Sequence, residues 1–319
     1  MFKNKKYPLK LFAIISLVFV ALTIIFVSIF GVNTSVGIGG GSQIEVTLSY
    51  KNTSDEYVSG REDATEYVDA IKEVLKEHNC SIDSYFVEDK LVDTYLIVRI
   101  ADNEIENAEK IPAQIATKLG ISQSRVSNVQ ELSSYFTNNQ MLFIGLAVLV
   151  VILICFFGGW LRYSLVGGIT LAFAALHNLI LSLAVIFLYR VQFSIVSLVG
   201  VLAFTVLSLL ALIFILERAK ENAKSKQYSE LTQDEQFIKA TSQNKHLIWF
   251  AAVLFALFVV MVCVPITYVQ LAGVSLLLSL IVCAYTSIFV APSLHVYLTD
   301  IKNARAKQKL SKNVTVNKK

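Results

Sequence analysis

The sequence predicts a polytopic α-helical membrane protein, with six transmembrane helices in a one-plus-five arrangement and a ferredoxin-like α+β extracytoplasmic domain inserted after the first. Three observations predict it. Of 319 residues, 55% are hydrophobic and 16% charged, and the mean hydropathy is +0.60, which is too apolar for an ordinary soluble domain. Six uncharged apolar runs are long enough to cross a bilayer at about 1.5 Å per helical residue. Between the first and second runs lies a polar insert with its own strand and helix periodicities.

The runs are Leu11 to Phe30, Met141 to Trp160, Tyr163 to Tyr189, Val191 to Leu216, Leu247 to Val264 and Val269 to Leu298. Lys3, Lys5, Lys6 and Lys10 give the first run the basic flank of a signal peptide. Its twenty apolar residues exceed the usual signal core of about 7 to 15, and no A-x-A cleavage pattern follows. It is read as a retained anchor.

Lys and Arg predict the orientation. The amino terminus, Arg162, the loop 217–246 and the tail after Asp300 hold 18 of the 28 basic residues. Both termini are therefore expected in the cytoplasm, and residues 31–140 outside. The insert carries 18 acidic and 9 basic residues, so a near-neutral total hides two halves of opposite sign. The positive-inside rule explains the basic half, and no nucleic-acid partner is expected. The resulting division is 1–30, amino terminus and first helix; 31–140, external domain; 141–298, helices two to six; and 299–319, a basic tail.

Within the insert, Ile44, Val46, Leu48 and Tyr50 alternate with polar residues as in a half-buried strand. From Asp63 the period changes, and Val68, Ile71, Val74 and Leu75 form one helical face that stops near Asn79. Ser81 to Val87 and Thr94 to Ile100 read as strands joined by the polar turn Glu88-Asp89-Lys90. A second helix fits Asn107 to Leu119, with Pro112 in its first turn and Gly120 past its end. Ile121 to Val129 is expected to be the last strand. The order βαββαβ is the ferredoxin-like plan.

No nucleophile, metal or cofactor constellation is present in the sequence, so an enzyme is not expected and neither is a cofactor. Four cysteines show no disulfide framework or metal-ligand spacing. The segment Ala223 to Gln243 is polar and expected to form a short surface helix.

Several motifs carry a family resemblance. Gly40, Gly41, Ile44, Glu45 and Val46 match a Gly-Gly segment followed by an Ile-Glu-Val strand. WLRYSLVGG stands at the entrance to the third run, LHN within it, LERAKEN at the end of the fourth, and AYTSIFVAPSL in the sixth. In order and spacing the chain resembles the SecF family, the smaller partner in the SecD–SecF accessory complex of the bacterial Sec translocase, related to resistance–nodulation–division exporters. The resemblance implies assistance to protein export, coupled to the proton gradient, in the bacterial cell membrane. It implies a SecD-like subunit, a SecY-type channel, emerging preprotein and the lipid bilayer as partners.

The resemblance also marks departures. The family's intramembrane acid in the fourth span falls on Ala211, and its His-Asp pair is His177-Asn178. A proton can do work only on a group that changes charge, so any coupling is expected mainly through the partner. The proton or gating candidates are His177, Asn178, Glu217, Arg218 and Lys245, and the hinge candidates are Gly39, Gly40 and Gly41. For His177 a neutral hydrogen bond across helices competes with a titrating role beside a partner's acid, and the residues favour the former. His295 is expected at the interface, and His78 at the cap of a surface helix. The competing functions are a half-transporter exporting lipid or small hydrophobic molecules and a non-transporting assembly factor.

Overall fold

A computed structural model describes residues 9–48, 50–51, 57–58, 64–90, 93–100, 105, 107–134, 138–228, 230–264 and 267–316. The lysines at positions 3, 5 and 6 therefore lie outside the described residues. The chain divides into two compact units, one of residues 1–32, 142–191 and 196–319, the other of residues 33–141 and 192–195.

The first unit begins with α1 (Leu9–Phe30), which ends in Gly31 at φ +68° with its N–H on Val27 O at 2.9 Å, a left-handed helix cap.

The second unit opens with the single turn α2 (Val36–Gly39) and the strand β1 (Gly41–Thr47). A two-stranded hairpin, β2 (Tyr50–Lys51) and β3 (Tyr57–Val58), precedes α3 (Ala64–Glu77). Then come β4 (Ile82–Lys90), β5 (Asp93–Ile100), α4 (Ile111–Leu119) and β6 (Gln130–Leu132). The main sheet has the order β4-β5-β1-β6 and is antiparallel throughout, as the ferredoxin-like plan requires.

Its core is the face that alternation exposes to the helices. Ile44 and Val46 on β1, Leu48 just past its end, and Leu96, Val98 and Ile100 on β5 meet Ile71, Val74 and Leu75 of α3 and Ile111 and Ile115 of α4. Each fully buried aliphatic side chain contributes about 1.5–3 kcal/mol. Gly120, at φ 65° with its N–H on the carbonyls of Ala116 and Thr117, caps α4 as expected, and Asn79 at φ 57° follows α3.

Two strand expectations shift. Glu88, Asp89 and Lys90 are not a turn but pair with Tyr95, Thr94 and Asp93, because antiparallel pairing outweighs local polarity. The last strand is 130–132 rather than 121–129. There, the Ser122 side chain caps a 3₁₀ turn, Gln123–Arg125, and Arg125 reaches across to Thr47 O at 2.6 Å and Leu48 O at 3.2 Å. Val126 keeps only an isolated bridge to Val46.

Residues 192–195 belong to this unit through the backbone. Phe193 N–H bonds Asn33 O at 2.7 Å, and Ser35 N–H bonds Phe193 O at 3.0 Å. The Asp83 carboxylate on β4 reinforces the contact, accepting from Val36 N–H at 3.3 Å and from the Gln192 amide, with Ser84 Oγ at 3.1 Å. Burial pushes the Asp83 carboxyl above its ordinary range, although these hydrogen bonds and the charge of Arg99 pull the other way.

The helical unit continues with α5 (Asn138–Leu188), α6 (Ile195–Lys224), α7 (Gln233–Gln243), α8 (Lys245–Cys263), α9 (Thr267–Tyr285), a π turn at Thr286–Val290 and α10 (Ala291–Val316). Among the described residues, five helices are long and apolar enough to span a membrane. The 51-residue α5 makes two crossings, because Ser164 within it has φ 78° and ψ 174°. The two halves fold back on each other so closely that a Cβ on Gly168 would stand 2.5 Å from Phe156 O, which small residues permit. Six crossings result, with the reversal at Ser164. α7 is not merely a surface helix: Phe237 and Ala240 are buried with Leu212, Leu216 and Ala219 of α6 and Val296 of α10.

Leu17 and Ile29 on α1, Leu142 and Ile154 on α5, and Val253 and Val260 on α8 are all exposed. Apolar faces of this extent need a hydrocarbon solvent or a partner.

Ser164 stands in a backbone region that is essentially glycine-only, at a cost of about 1–3 kcal/mol. Ser164→Gly is therefore expected to raise the thermal midpoint of the purified protein in detergent. A second outcome concerns Asp83, whose folded pKa lies above the unfolded value. The folded state then binds its proton more tightly, so stability falls as pH rises from about 3.8 through the folded pKa. Asp83→Asn should abolish that pH dependence in hydrogen exchange at Val36 and β4. Asp83→Leu, which loses the acceptors, should speed exchange there by a factor corresponding to about 1 kcal/mol.

Candidate functional site

Inside the helical unit, polar side chains in apolar helices must find partners within the protein. On α1, Ser16 and Thr23 are seven residues apart, two helical turns, and so share a face. Both are buried. Thr23 donates to Phe19 O in its own helix and also lies 2.8 Å from Ala184 O in the second half of α5.

His177, in the second half of α5, meets this face at Ser16. Its Nε2 lies 2.9 Å from Ser16 Oγ and its Nδ1 3.0 Å from Thr286 Oγ1 in the π turn. Ser16 Oγ donates to Phe12 O at 3.0 Å, and Tyr285 OH also donates to that carbonyl at 3.0 Å. With its hydrogen on Phe12 O, Ser16 accepts from Nε2–H, and Thr286 then donates to Nδ1. A neutral imidazole, with one donor and one acceptor, satisfies both hydroxyls. Phe173 stacks on the ring at 5.5 Å, and Tyr285 lies 6.1 Å away.

Asn178 is fully buried but does not join His177. Successive helical residues diverge by about 100°, and Asn178 Nδ2 turns to Thr205 Oγ1 on α6 at 3.0 Å, while Thr205 donates to Val201 O. The two residues hook different helices: His177 holds α1 and the π turn, Asn178 holds α6. Asn178 Oδ1 is buried without a partner among the described residues. No carboxylate is among the hydrogen-bond partners of His177, and among the described residues no group of His, Cys, Asp and Glu could hold a metal.

Glu217 and Arg218 likewise separate. Glu217 accepts two hydrogen bonds from Arg162 at 2.6 and 3.3 Å, tying the reversal in α5 to the end of α6, whereas Arg218 pairs with Glu221 at 2.7 Å. Lys245 is exposed in the first turn of α8, away from the buried polar set. His295 packs between helices, its Nδ1 3.2 Å from Thr170 Oγ1 and its ring 5.3 Å from Phe237. His78 bonds Gln114 on α4 at 2.7 Å.

Gly39, Gly40 and Gly41 lie in the second unit. Gly40 has φ 78° and ψ −178°, a conformation that strains any residue other than glycine. A Cβ on Gly41 would collide with Ile100 O and the Val36 side chain. This is the geometry of a close-packed turn from α2 into β1.

Reading the sequence missed Ser16, Thr23 and Arg162 as members of these contacts. The seven-residue spacing of Ser16 and Thr23 in an otherwise apolar run was the available signal.

The profile of the family described as protein export membrane protein SecD/SecF, C-terminal, matches residues 111–300. No curated protein sequence matches the chain significantly. Among solved structures, the chain is similar to SecDF in its super-membrane-facing form, with TM-score 0.72 and 15% identity, covering 97% of this chain and 40% of the other. It is also similar to SecDF, a translocon-associated membrane protein from Thermus thermophilus, with TM-score 0.62, 16% identity and coverage of 92% and 38%. At these identities the likeness is one of fold, and the chain spans about two fifths of the length of the structures it matches.

Cross-helix hydrogen bonds in membranes average about 0.6 kcal/mol and reach about 1.7 kcal/mol. A double-mutant cycle of His177→Phe and Thr286→Val, read by thermal unfolding in detergent, is expected to return a coupling in that range. Asn178→Leu should cost no more than Thr205→Val, because Asn178 already leaves one oxygen unpaired.

Proposed function

Because the chain belongs to the SecD/SecF family of protein-export membrane proteins, we propose that it is a SecF-like subunit of a Sec translocase accessory complex, assisting protein export across the bacterial cell membrane. The observation that carries this reading is the family match over 111–300, which runs from the second helix of the sheet domain to the end of the sixth crossing. We assign it a SecD-like partner, because the SecDF chains are more than twice its length and a second homologous half would complete such a unit. The exposed apolar faces of α1, the first half of α5 and α8 suit that partner and lipid. A SecY-type channel and emerging preprotein follow as the other partners.

The orientation is inferred from the basic residues, with both termini in the cytoplasm and the sheet domain outside. In this reading the subunit makes and breaks no covalent bond. It presents a small folded domain to emerging polypeptide. Gly39, Gly40 and Gly41 would form the hinge at the start of that domain.

Coupling to the proton gradient is assigned to the partner. His177 has hydroxyls on both ring nitrogens, Asn178 is an amide, and Ala211 stands where the family's acid falls. An intramembrane charge costs about 2.5–3.5 kcal/mol at a helix centre, and nothing bonded to His177 offsets it.

Affinity purification from mild detergent should recover the chain with a SecD-like subunit and a SecY-type channel; recovery with lipid-export components alone would sink the reading. In a strain lacking the chromosomal copy, His177→Phe is expected to support export at near the wild-type rate. A defect as severe as full deletion would instead assign His177 a working role.

A further inference from the structure

Where the reversal of α5, the end of α6 and the start of α7 meet, the helical unit encloses a cleft of about 270 Å³. It is distinct from the buried polar set around His177. Its floor is apolar, with Phe237 and Leu216, and His295 is held there by Thr170. Two cations, Arg162 and Lys220, also line it. Glu217 occupies Nε and Nη2 of Arg162, the Tyr163 hydroxyl lies beside the same guanidinium, and Lys220 Nζ has donated one of its three hydrogens to Arg162 O at 3.1 Å. Counting Glu217 against both cations leaves one net positive charge.

A second, independent observation lies on the opposite wall. Gln233, at the first position of α7, lines the cleft, and its Oε1 is buried without a partner among the described residues. The capping box of Thr232 and Glu235 already satisfies the start of that helix, so the amide oxygen is not engaged in capping. An unpaired buried acceptor costs about 1–3 kcal/mol. It can accept from a hydrogen-bond donor outside the chain.

We propose that this cleft binds a glycerophosphate group that carries a further hydroxyl: the phosphate anion on Arg162 and Lys220 Nζ, the hydroxyl donating to Gln233 Oε1, and the carbon skeleton against Leu216 and Phe237. The size agrees, since the cleft falls just under the range of about 300–1,000 Å³ typical of drug-sized ligands and suits a headgroup rather than a whole lipid. Its position agrees too. Arg162 closes an apolar crossing, at the end of the unit where basic side chains gather, which is where the phosphates of an anionic lipid such as phosphatidylglycerol stand. The inference does not depend on a role in export.

The test is native mass spectrometry of the delipidated full chain in detergent, titrated with short-chain phosphatidylglycerol, short-chain phosphatidylcholine and free glycerol 3-phosphate. Phosphatidylcholine has the phosphate but neither the net charge nor the hydroxyl. Phosphatidylglycerol is expected to bind about tenfold tighter, the ratio set by one charge-assisted hydrogen bond. The ratio should fall toward one in Lys220→Gln and in Gln233→Leu, and persist in Lys220→Arg and in the remote charge-loss control Lys72→Gln. Binding of glycerol 3-phosphate as tight as that of phosphatidylglycerol would support the site with a soluble ligand; no competition by it supports the membrane lipid. A ratio near one in the unaltered protein, or one untouched in both Lys220→Gln and Gln233→Leu, would overturn the assignment.

Discussion

Everything in the helical unit depends on one constraint: within hydrocarbon a polar group has no water to turn to. Apolar side chains pack against lipid tails almost as well as against each other, so they do not by themselves fix which helix faces which. The few polar side chains do. Thr23 on Ala184 O, His177 between Ser16 and Thr286, and Asn178 on Thr205 are directional, and together they join α1, both flanks of α5, α6 and the π turn. Buried fractions follow the same pattern. The apolar windows of α6 and of α9 with α10 are about half buried, whereas those of α1, α5 and α8 are almost wholly exposed. The polar contacts thus fasten the exposed α1 to the buried second half of α5, and that half to α6 and the π turn.

The same constraint explains what was legible in the sequence. Helix crossings are written as uninterrupted apolar length, so all six could be read, and the reversal at Ser164 was displaced by only a few residues because WLRYS offers no Gly or Pro to mark it. In the sheet domain, alternation at Ile44, Val46 and Leu48 and the 3.6-residue period at Val68, Ile71 and Leu75 are direct images of burial, and they fixed the βαββαβ order. Strand ends were less legible. Whether Glu88 to Lys90 turns or pairs depends on β5 across the hairpin, and whether 121–129 is a strand depends on where the Arg125 guanidinium finds carbonyls. Both are tertiary facts.

The candidate site was half legible for a related reason. A histidine in an apolar run is conspicuous, but its partners are serines and threonines, which are common in membrane helices and reveal nothing alone. Adjacent polar residues also invite being read as a pair. His177-Asn178 and Glu217-Arg218 each suggest a two-residue device, yet the helical rotation of about 100° between neighbours sends each member to a different helix. Contacts of this kind are shared by residues three, four or seven apart, as Ser16 and Thr23 show.

The π turn sets how firmly His177 is held. A π turn accommodates one more residue than an α turn, and such turns recur at functional sites. Here it spans Thr286 to Val290, directly after Tyr285, and so two side chains that reach His177 and Phe12, those of Tyr285 and Thr286, lie on either side of its start. Were the turn to relax to α geometry, the residues beyond it would rotate by about 100° relative to those before it, and Thr286 on His177 and His295 on Thr170 could not both keep their partners. The hydrogen bonds of His177 therefore oppose relaxation of the turn, and the turn in turn presents Thr286 to the ring. With hydroxyls on both ring nitrogens, His177 joins α1 to the helix that runs from α9 through the π turn into α10.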